Sequence, residues 1–223
     1  MTGAQPTAER TVRDHWWWRP GWRLGRRAYT FHITFEDATV DGSEELRRLV
    51  ATYQRRLEGI GGLDMVPLPW LHLTMQNVGF TDEVSDSDCR AIAVAARDGC
   101  AQLAPFQLTF DQVEVRAEAI AFRPSPPAPV AMLRDTVRSA IAAVLGTIPE
   151  APEHAHGFQP HVSLAYVNAP GPAAPLVEAV DGVREAPVSV LVRAASLIVL
   201  DRDERVYRWR THETIALGTS PPA

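Results

Sequence analysis

Two short stretches decide how this chain reads: Leu71-His72-Leu73-Thr74-Met75 and, with its histidine 89 residues later, Pro160-His161-Val162-Ser163-Leu164. Each puts a hydroxyl two positions after a histidine and an apolar residue directly behind it. Both are apolar runs of strand character entered through prolines, which predicts strands over about 71–78 and 160–167. A strand turns residues i and i+2 to one face, so each stretch presents an imidazole and a hydroxyl side by side. His32 with Thr34 and His212 with Thr214 repeat the spacing, again in segments that read as strand. Four of the seven histidines therefore carry Ser or Thr at i+2, where random placement gives about 0.75.

Such a pair suits phosphodiester chemistry. The hydroxyl donates to a non-bridging oxygen, while imidazole gives or takes a proton near neutral pH. Two pairs facing one phosphate supply a base for the incoming oxygen and an acid for the departing one. No metal, cofactor or lysine enters that scheme, and none is expected. The composition agrees: all 22 basic side chains among the 223 residues are arginine. That excludes a Walker-type phosphate loop, a Schiff-base or pyridoxal enzyme and a lysine-adenylating ligase. Arginine does not shuttle protons near neutrality. A net charge of −5 argues against a wholly basic nucleic-acid coat, though not against a local basic groove. No apolar run reaches the roughly 18 residues of a membrane span. With no signal-peptide core either, a cytoplasmic setting without membrane partners is expected.

The rest of the chain predicts an α+β order. An Arg/Trp-rich extension covers 1–27, a single domain 28–217 and a tail 218–223. Strands are expected at 28–36, 106–115, 117–123, 188–200 and 206–217, the last two joined by a polar hairpin turn at 201–204. Helices are expected after the cap Asp41-Gly42-Ser43, then at about 86–103, 130–145 and 175–180. The proline-rich stretch 124–129 is the candidate link between two lobes. Cys89 and Cys100 fall about 16 Å apart along one helix, too far for a disulfide, and lie on its apolar stripe as core residues.

The two motifs, with Val78-Gly79-Phe80 after the first and Ala165 after the second, resemble the signatures of the two-histidine (2H) phosphoesterase superfamily, in its 2′-5′ RNA ligase-like, cyclic phosphodiesterase branch. The resemblance runs from about Ala28 to Leu217. It implies a bilobal, pseudo-symmetric fold with an antiparallel sheet and helices in each lobe and a central active-site cleft. It further implies that His72 and His161 are the catalytic acid and base and that Thr74 and Ser163 hold the phosphate. Serine in the second motif departs from the family's threonine but keeps the hydroxyl. The expected activity is metal-independent hydrolysis of a nucleotide or RNA 2′,3′-cyclic phosphate or 2′,5′-phosphodiester by a monomer. Two alternatives stand beside it: a noncatalytic RNA- or nucleotide-binding protein on the same scaffold, and a hydrolase of a small metabolite such as an ADP-ribose cyclic phosphate.

Several residues carry two readings. His32 and Thr34 either lie on a sheet surface or face the cleft and assist substrate binding. His212 and Thr214 read as sheet surface. Phe80 and Tyr166 either flank a nucleobase or belong to the core. His154, His156 and His161 could ligate zinc, but Gly157 and Pro160 favour a loop at the cleft mouth. The N-terminal arginines and tryptophans either form an RNA-stacking surface or cover the seam between lobes.

Overall fold

The computed structural model describes residues 11–36, 39–149 and 157–218. In chain order the elements are β1 (Thr11–Val12), β2 (Ala28–Thr34), β3 (Val40–Asp41), α1 (Ser43–Leu57), β4 (Leu63–Met65), β5 (His72–Phe80), α2 (Asp86–Cys100), β6 (Phe106–Phe110), β7 (Val113–Val115), β8 (Ala119–Phe122), α3 (Ala128–Leu145), β9 (Val162–Val167), β10 (Gly171–Pro172), α4 (Ala174–Asp181), β11 (Val188–Val192), β12 (Ala194–Asp201) and β13 (Arg208–Ala216). Two four-stranded antiparallel sheets dominate, ordered β13-β12-β2-β5 and β4-β9-β8-β7. Each contains one motif strand, and β5 of the first packs beside β9 of the second. A three-stranded sheet, β3-β11-β6, and the short pair β1-β10 complete the β structure among the described residues.

The apolar stripes explain the layering. On α2, Cys89, Ile92, Ala96 and Cys100 are fully buried, and on α3 so are Val130, Leu133, Val137 and Ile141. The two helices pack on each other and on β13 and β5. Both cysteines are free thiols; burial raises Cys89 to about 12 and Cys100 to about 11. Helix α1 instead lies against β9, β11 and α4. Each half of the molecule thus has its own helical backing. Both large sheets draw strands from either side of residues 124–129, so the sheets do not divide the chain at that link.

Three expectations change in detail. The run 188–200 is not one strand. It breaks at Arg193, whose guanidinium binds Asp41, and passes from the three-stranded sheet into the first large one. The run 106–115 likewise breaks at Asp111 and Gln112, which puts β6 and β7 into different sheets. The cap of α1 is Gly42, not a side chain: its φ is 87°, and a Cβ there would stand 3.0 Å from the Ser189 carbonyl oxygen. Ser85 caps α2, its side chain accepting from Asp88 N. Gly146 ends α3 in the left-handed conformation, as its place after the stripe requires.

Gly79, next to the end of β5, has φ 149°, and an added Cβ would lie 2.6 Å from Val84 Cγ2. Gly79→Ala is expected to cost about 1–3 kcal/mol through overpacking, read as a lower urea midpoint at unchanged m-value.

Candidate active site

The motif side chains are set by strand register. In the β2–β5 pair His32 faces Thr74, and Thr34 faces His72. The imidazoles of His32 and His72 stack at 4.6 Å with planes 6° apart. Thr74 Oγ1 lies 3.2 Å from His32 Nε2. His32 is 1% exposed, and its Nδ1 is buried without a hydrogen-bond partner. Thr34 is equally buried and hydrogen-bonds Ser196 Oγ at 2.9 Å. His32 and Thr34 both lie beside the motif strand and share its face with Thr74 and His72; each is 1% exposed, so they do not form an open sheet surface.

The two motif histidines are held alike. His72 Nδ1–H donates to the Trp70 carbonyl (2.8 Å), and His161 Nδ1–H donates to the Gln159 carbonyl (3.0 Å). In both cases the acceptor is two residues upstream. A carbonyl can only accept, so Nδ1 carries the proton in each neutral ring and Nε2 is left as the proton-exchanging atom.

Both motif strands are also bulged at the same place. Pairing to β2 passes from Thr74 to Gln76 and skips Met75. Pairing to β8 passes from Ser163 to Ala165 and skips Leu164. The skipped residue is in each case the apolar one behind the hydroxyl. A helix side chain holds each bulge: Arg134 of α3 donates from Nε to the Met75 carbonyl (2.9 Å), and Gln54 of α1 donates from Nε2 to the Leu164 carbonyl (2.9 Å). Such bulges re-aim side chains next to them. In β9 the bulge returns Tyr166 to the face that carries Ser163, although the two residues are three apart.

Around these motifs stands an aromatic wall. Trp209 presents its edge to His72 (5.4 Å) and His32 (5.9 Å), and Trp70 packs on Trp209 at 4.8 Å. Tyr207 lies 5.8 Å from His72. Tyr166 is buried and stacks on His15 at 4.1 Å. Phe80 is elsewhere. It ends β5 about 25 Å from His72 at strand rise, under the Arg26 guanidinium (3.6 Å) and against Trp22. His212 is the skipped residue of a third bulge, in β13, and its ring meets Tyr29 rather than the motif histidines. His154 and His156 lie outside the described residues. Among the described residues no three His, Cys, Asp or Glu side chains gather as a metal site.

Sequence reasoning missed His15. Its Nε2 is 3.0 Å from the Tyr207 hydroxyl, and its Nδ1 is 3.5 Å from Glu118 Oε2. No i+2 hydroxyl marks it, so the pattern that found the other histidines passes over it. The surrounding segment covers the space between the two sheets. Trp16 is nearly buried and donates to Asp64 Oδ2 (2.8 Å), Arg13 and Arg19 bind Glu118, and Arg23 and Arg26 bind Asp82. Trp17 and Trp18 remain exposed.

Burial lowers both motif histidines to about 4. For His72 the Trp70 carbonyl opposes this and His15 adds to it; for His161 the Arg116 guanidinium adds most, followed by His72 and His15. The effect of His72 on His161, with His15 acting on both, places the two in one electrostatic neighbourhood. Arg116 also lines a cavity of about 590 Å³ with Gln159, Val177 and Asp181.

A sequence profile of the 2′-5′ RNA ligase superfamily matches residues 42–204, most of the chain. The protein belongs to that superfamily, whose members are phosphoesterases of the two-histidine type. Among solved structures, TT0787 of Thermus thermophilus is similar at a TM-score of 0.64 and 20% identity, over 88% of this chain and all of the other. LigT of E. coli, solved in complex with 3′-AMP, gives 0.59 and 19% over 86% of this chain and 98% of the other. These likenesses are of fold. No curated protein matches the chain by sequence.

The depressed histidines make a stability prediction. A ring neutral in the fold but basic when unfolded adds stability above its unfolded value, near 6.5, and loses it as pH falls toward about 4. The thermal midpoint is expected to drop between pH 6.5 and 4.5, and the neutral variants His72→Asn and His161→Asn to drop less over that interval.

Proposed function

We propose that the protein is a phosphodiesterase that opens a nucleotide or RNA 2′,3′-cyclic phosphate, or cuts a 2′,5′-phosphodiester, with His72 and His161 as acid and base. The observation that carries this reading is the repeated geometry. Two histidines have Nδ1 fixed on a carbonyl and Nε2 free, and each is followed by a hydroxyl on a bulged strand.

In the hydrolytic step one imidazole Nε2 takes a proton from water as the water oxygen bonds to phosphorus. The bond from phosphorus to one ribose oxygen breaks, and the opposite imidazolium Nε2–H protonates that oxygen. The products are a phosphate monoester and a free ribose hydroxyl. Thr74 and Ser163 donate to the non-bridging oxygens, where charge grows in the transition state. Thr74 must keep its own proton for the phosphate, so His32 Nε2–H is the donor in their contact, and His32 serves by orienting Thr74. Burial holds His32 well below its ordinary value, with His72 adding to the effect. A neutral ring there leaves the stacked His72 as the one to take up charge. A bound phosphate raises the motif histidines, because its negative charge favours imidazolium.

Acid, base and oxyanion donors are all side chains of this chain, which supports metal-independent turnover by a monomer. Among the described residues no helix is long and apolar enough to cross a membrane, and two free buried thiols suit a reducing compartment. The thiols support the proposal of a cytoplasmic setting.

The test is a screen of nucleoside 2′,3′-cyclic phosphates, RNA ending in a cyclic phosphate, 2′,5′-linked oligonucleotides and ADP-ribose cyclic phosphate. His72→Ala and His161→Ala are each expected to lose about 10²–10⁴-fold in kcat, with EDTA without effect. Binding without turnover of every one of these substrates would identify a noncatalytic nucleotide-binding protein instead. For an active enzyme, kcat/KM should follow a bell centred on the acid side of neutrality, since both free-enzyme histidines stand near 4. A plateau from pH 5 to 9 would remove the paired-histidine mechanism.

A further inference from the structure

We propose that His15, supplied by the N-terminal segment, is a positioning residue of the active site, acting through Tyr207 beside His72 and Tyr166 beside Ser163. This rests on the reading of His72 and His161 as the acid–base pair. His15 precedes the superfamily match at 42–204.

The geometry is a three-membered relay. Glu118 lies between β7 and β8 and receives Arg13 at 2.9 Å and Arg19 at 3.0 Å. Burial alone would lift its carboxyl, but the nearby His15 imidazole and the charges of Arg19 and Arg13 bring it to about 2. It is therefore a carboxylate and can only accept. His15 is 8% exposed, and burial lowers it, with Arg19 and Arg202 adding to the effect and Glu118 opposing it. A neutral His15 with its proton on Nδ1 faces that carboxylate at 3.5 Å, and Nε2 is then an acceptor. The Tyr207 hydroxyl, 3.0 Å away, donates to it. The Tyr207 proton is thereby committed to His15, and its ring is fixed edge-on to His72 at 5.8 Å.

The same imidazole holds the other motif. Its face stacks on Tyr166 with planes 20° apart, and Tyr166 shares the face of β9 that carries Ser163. Tyr166 also meets Tyr207 at 5.4 Å. One residue therefore sets the wall of both half-sites, one on each large sheet. The backbone secures it: His15 N donates to the Val167 carbonyl (2.8 Å), directly after Tyr166. Among the described residues, the titratable and charged groups that face it are Glu118, Arg19, Arg202, Tyr166, Tyr207 and the two motif histidines.

The test uses the full chain with His15→Phe, His15→Gln, Tyr207→Phe and the double variant His15→Phe/Tyr207→Phe. Phenylalanine keeps the stack on Tyr166 and removes the acceptor for Tyr207. Glutamine can accept from Tyr207 and donate to Glu118. Expected are a fall in kcat of about tenfold or more for His15→Phe at nearly unchanged KM, an equal fall for Tyr207→Phe, no further loss in the double variant, and recovery in His15→Gln. A second readout needs no substrate: imidazole ¹⁵N spectra of His72 and His161 should titrate at higher pH in His15→Phe than in the wild type. Unchanged titrations together with wild-type kcat in His15→Phe overturn the proposal. Should His15→Phe not fold, Tyr207→Phe, which removes one oxygen, decides by kcat. Shifted titrations in a protein that turns over no phosphodiester would uphold the placement of His15 and remove the proposed activity.

Discussion

Two hydrogen bonds from helices, one buried and one half-buried, hold the two motif strands in shape: Arg134 to the Met75 carbonyl and Gln54 to the Leu164 carbonyl. A bulge takes one backbone group out of the sheet ladder, and a buried carbonyl left unpaired costs about 1–3 kcal/mol. Here the helix behind each sheet adds a side-chain donor to the carbonyl of the bulged residue, just after the histidine–hydroxyl pair. On the β5 side Gln76 continues the arrangement, receiving Arg138 at 2.8 Å while its own amide reaches the Pro149 carbonyl. On the β9 side the Val66 amide shares the Leu164 carbonyl with Gln54. The helices are thus fasteners of the chemistry as well as walls of the core.

The electrostatics follow from the same burial. Four histidines, at 15, 32, 72 and 161, are held below the ordinary value, each chiefly by desolvation. Their differences lie in what each nitrogen touches. His72 and His161 have a carbonyl on Nδ1 and an open Nε2. His15 meets Tyr207 at Nε2, and its Nδ1 stands 3.5 Å from the Glu118 carboxylate. His32 is bound at Nε2 by Thr74 and stacked against His72. The four are therefore distinguished by what their ring nitrogens meet, since desolvation lowers all of them.

Much of the plan was legible in the sequence. The i+2 hydroxyl rule located both motifs, because period-2 geometry is local and survives any tertiary arrangement. The helical stripes of α2 and α3 were legible for the same reason. What escaped was non-local. The break at Arg193 depends on Asp41, 152 residues away, so the stretch 188–200 reads as one strand when taken alone. The burial of His32 depends on which strands flank β2, which composition does not record. Phe80 follows its motif closely in sequence, yet the length of β5 carries it to the far end. His15 sits in an irregular segment with no period to read, and its importance arises from Glu118, Tyr166 and Tyr207, each far along the chain.

The strand order has a kinetic side. The sheet that carries His72 is built from β2 and β5 near the start and β12 and β13 at the end, with β2 hydrogen-bonded to both β5 and β12. Until residue 200 has left the ribosome, one edge of β2 is an unpaired row of amides and carbonyls, open to pairing with any extended chain. Closing so long a loop is slow compared with forming local hairpins. The same sheet order that brings four distant segments around the histidines leaves the nascent protein exposed to strand-mediated association for most of its synthesis. Its yield in a cell would then depend on how fast the last hairpin reaches that edge.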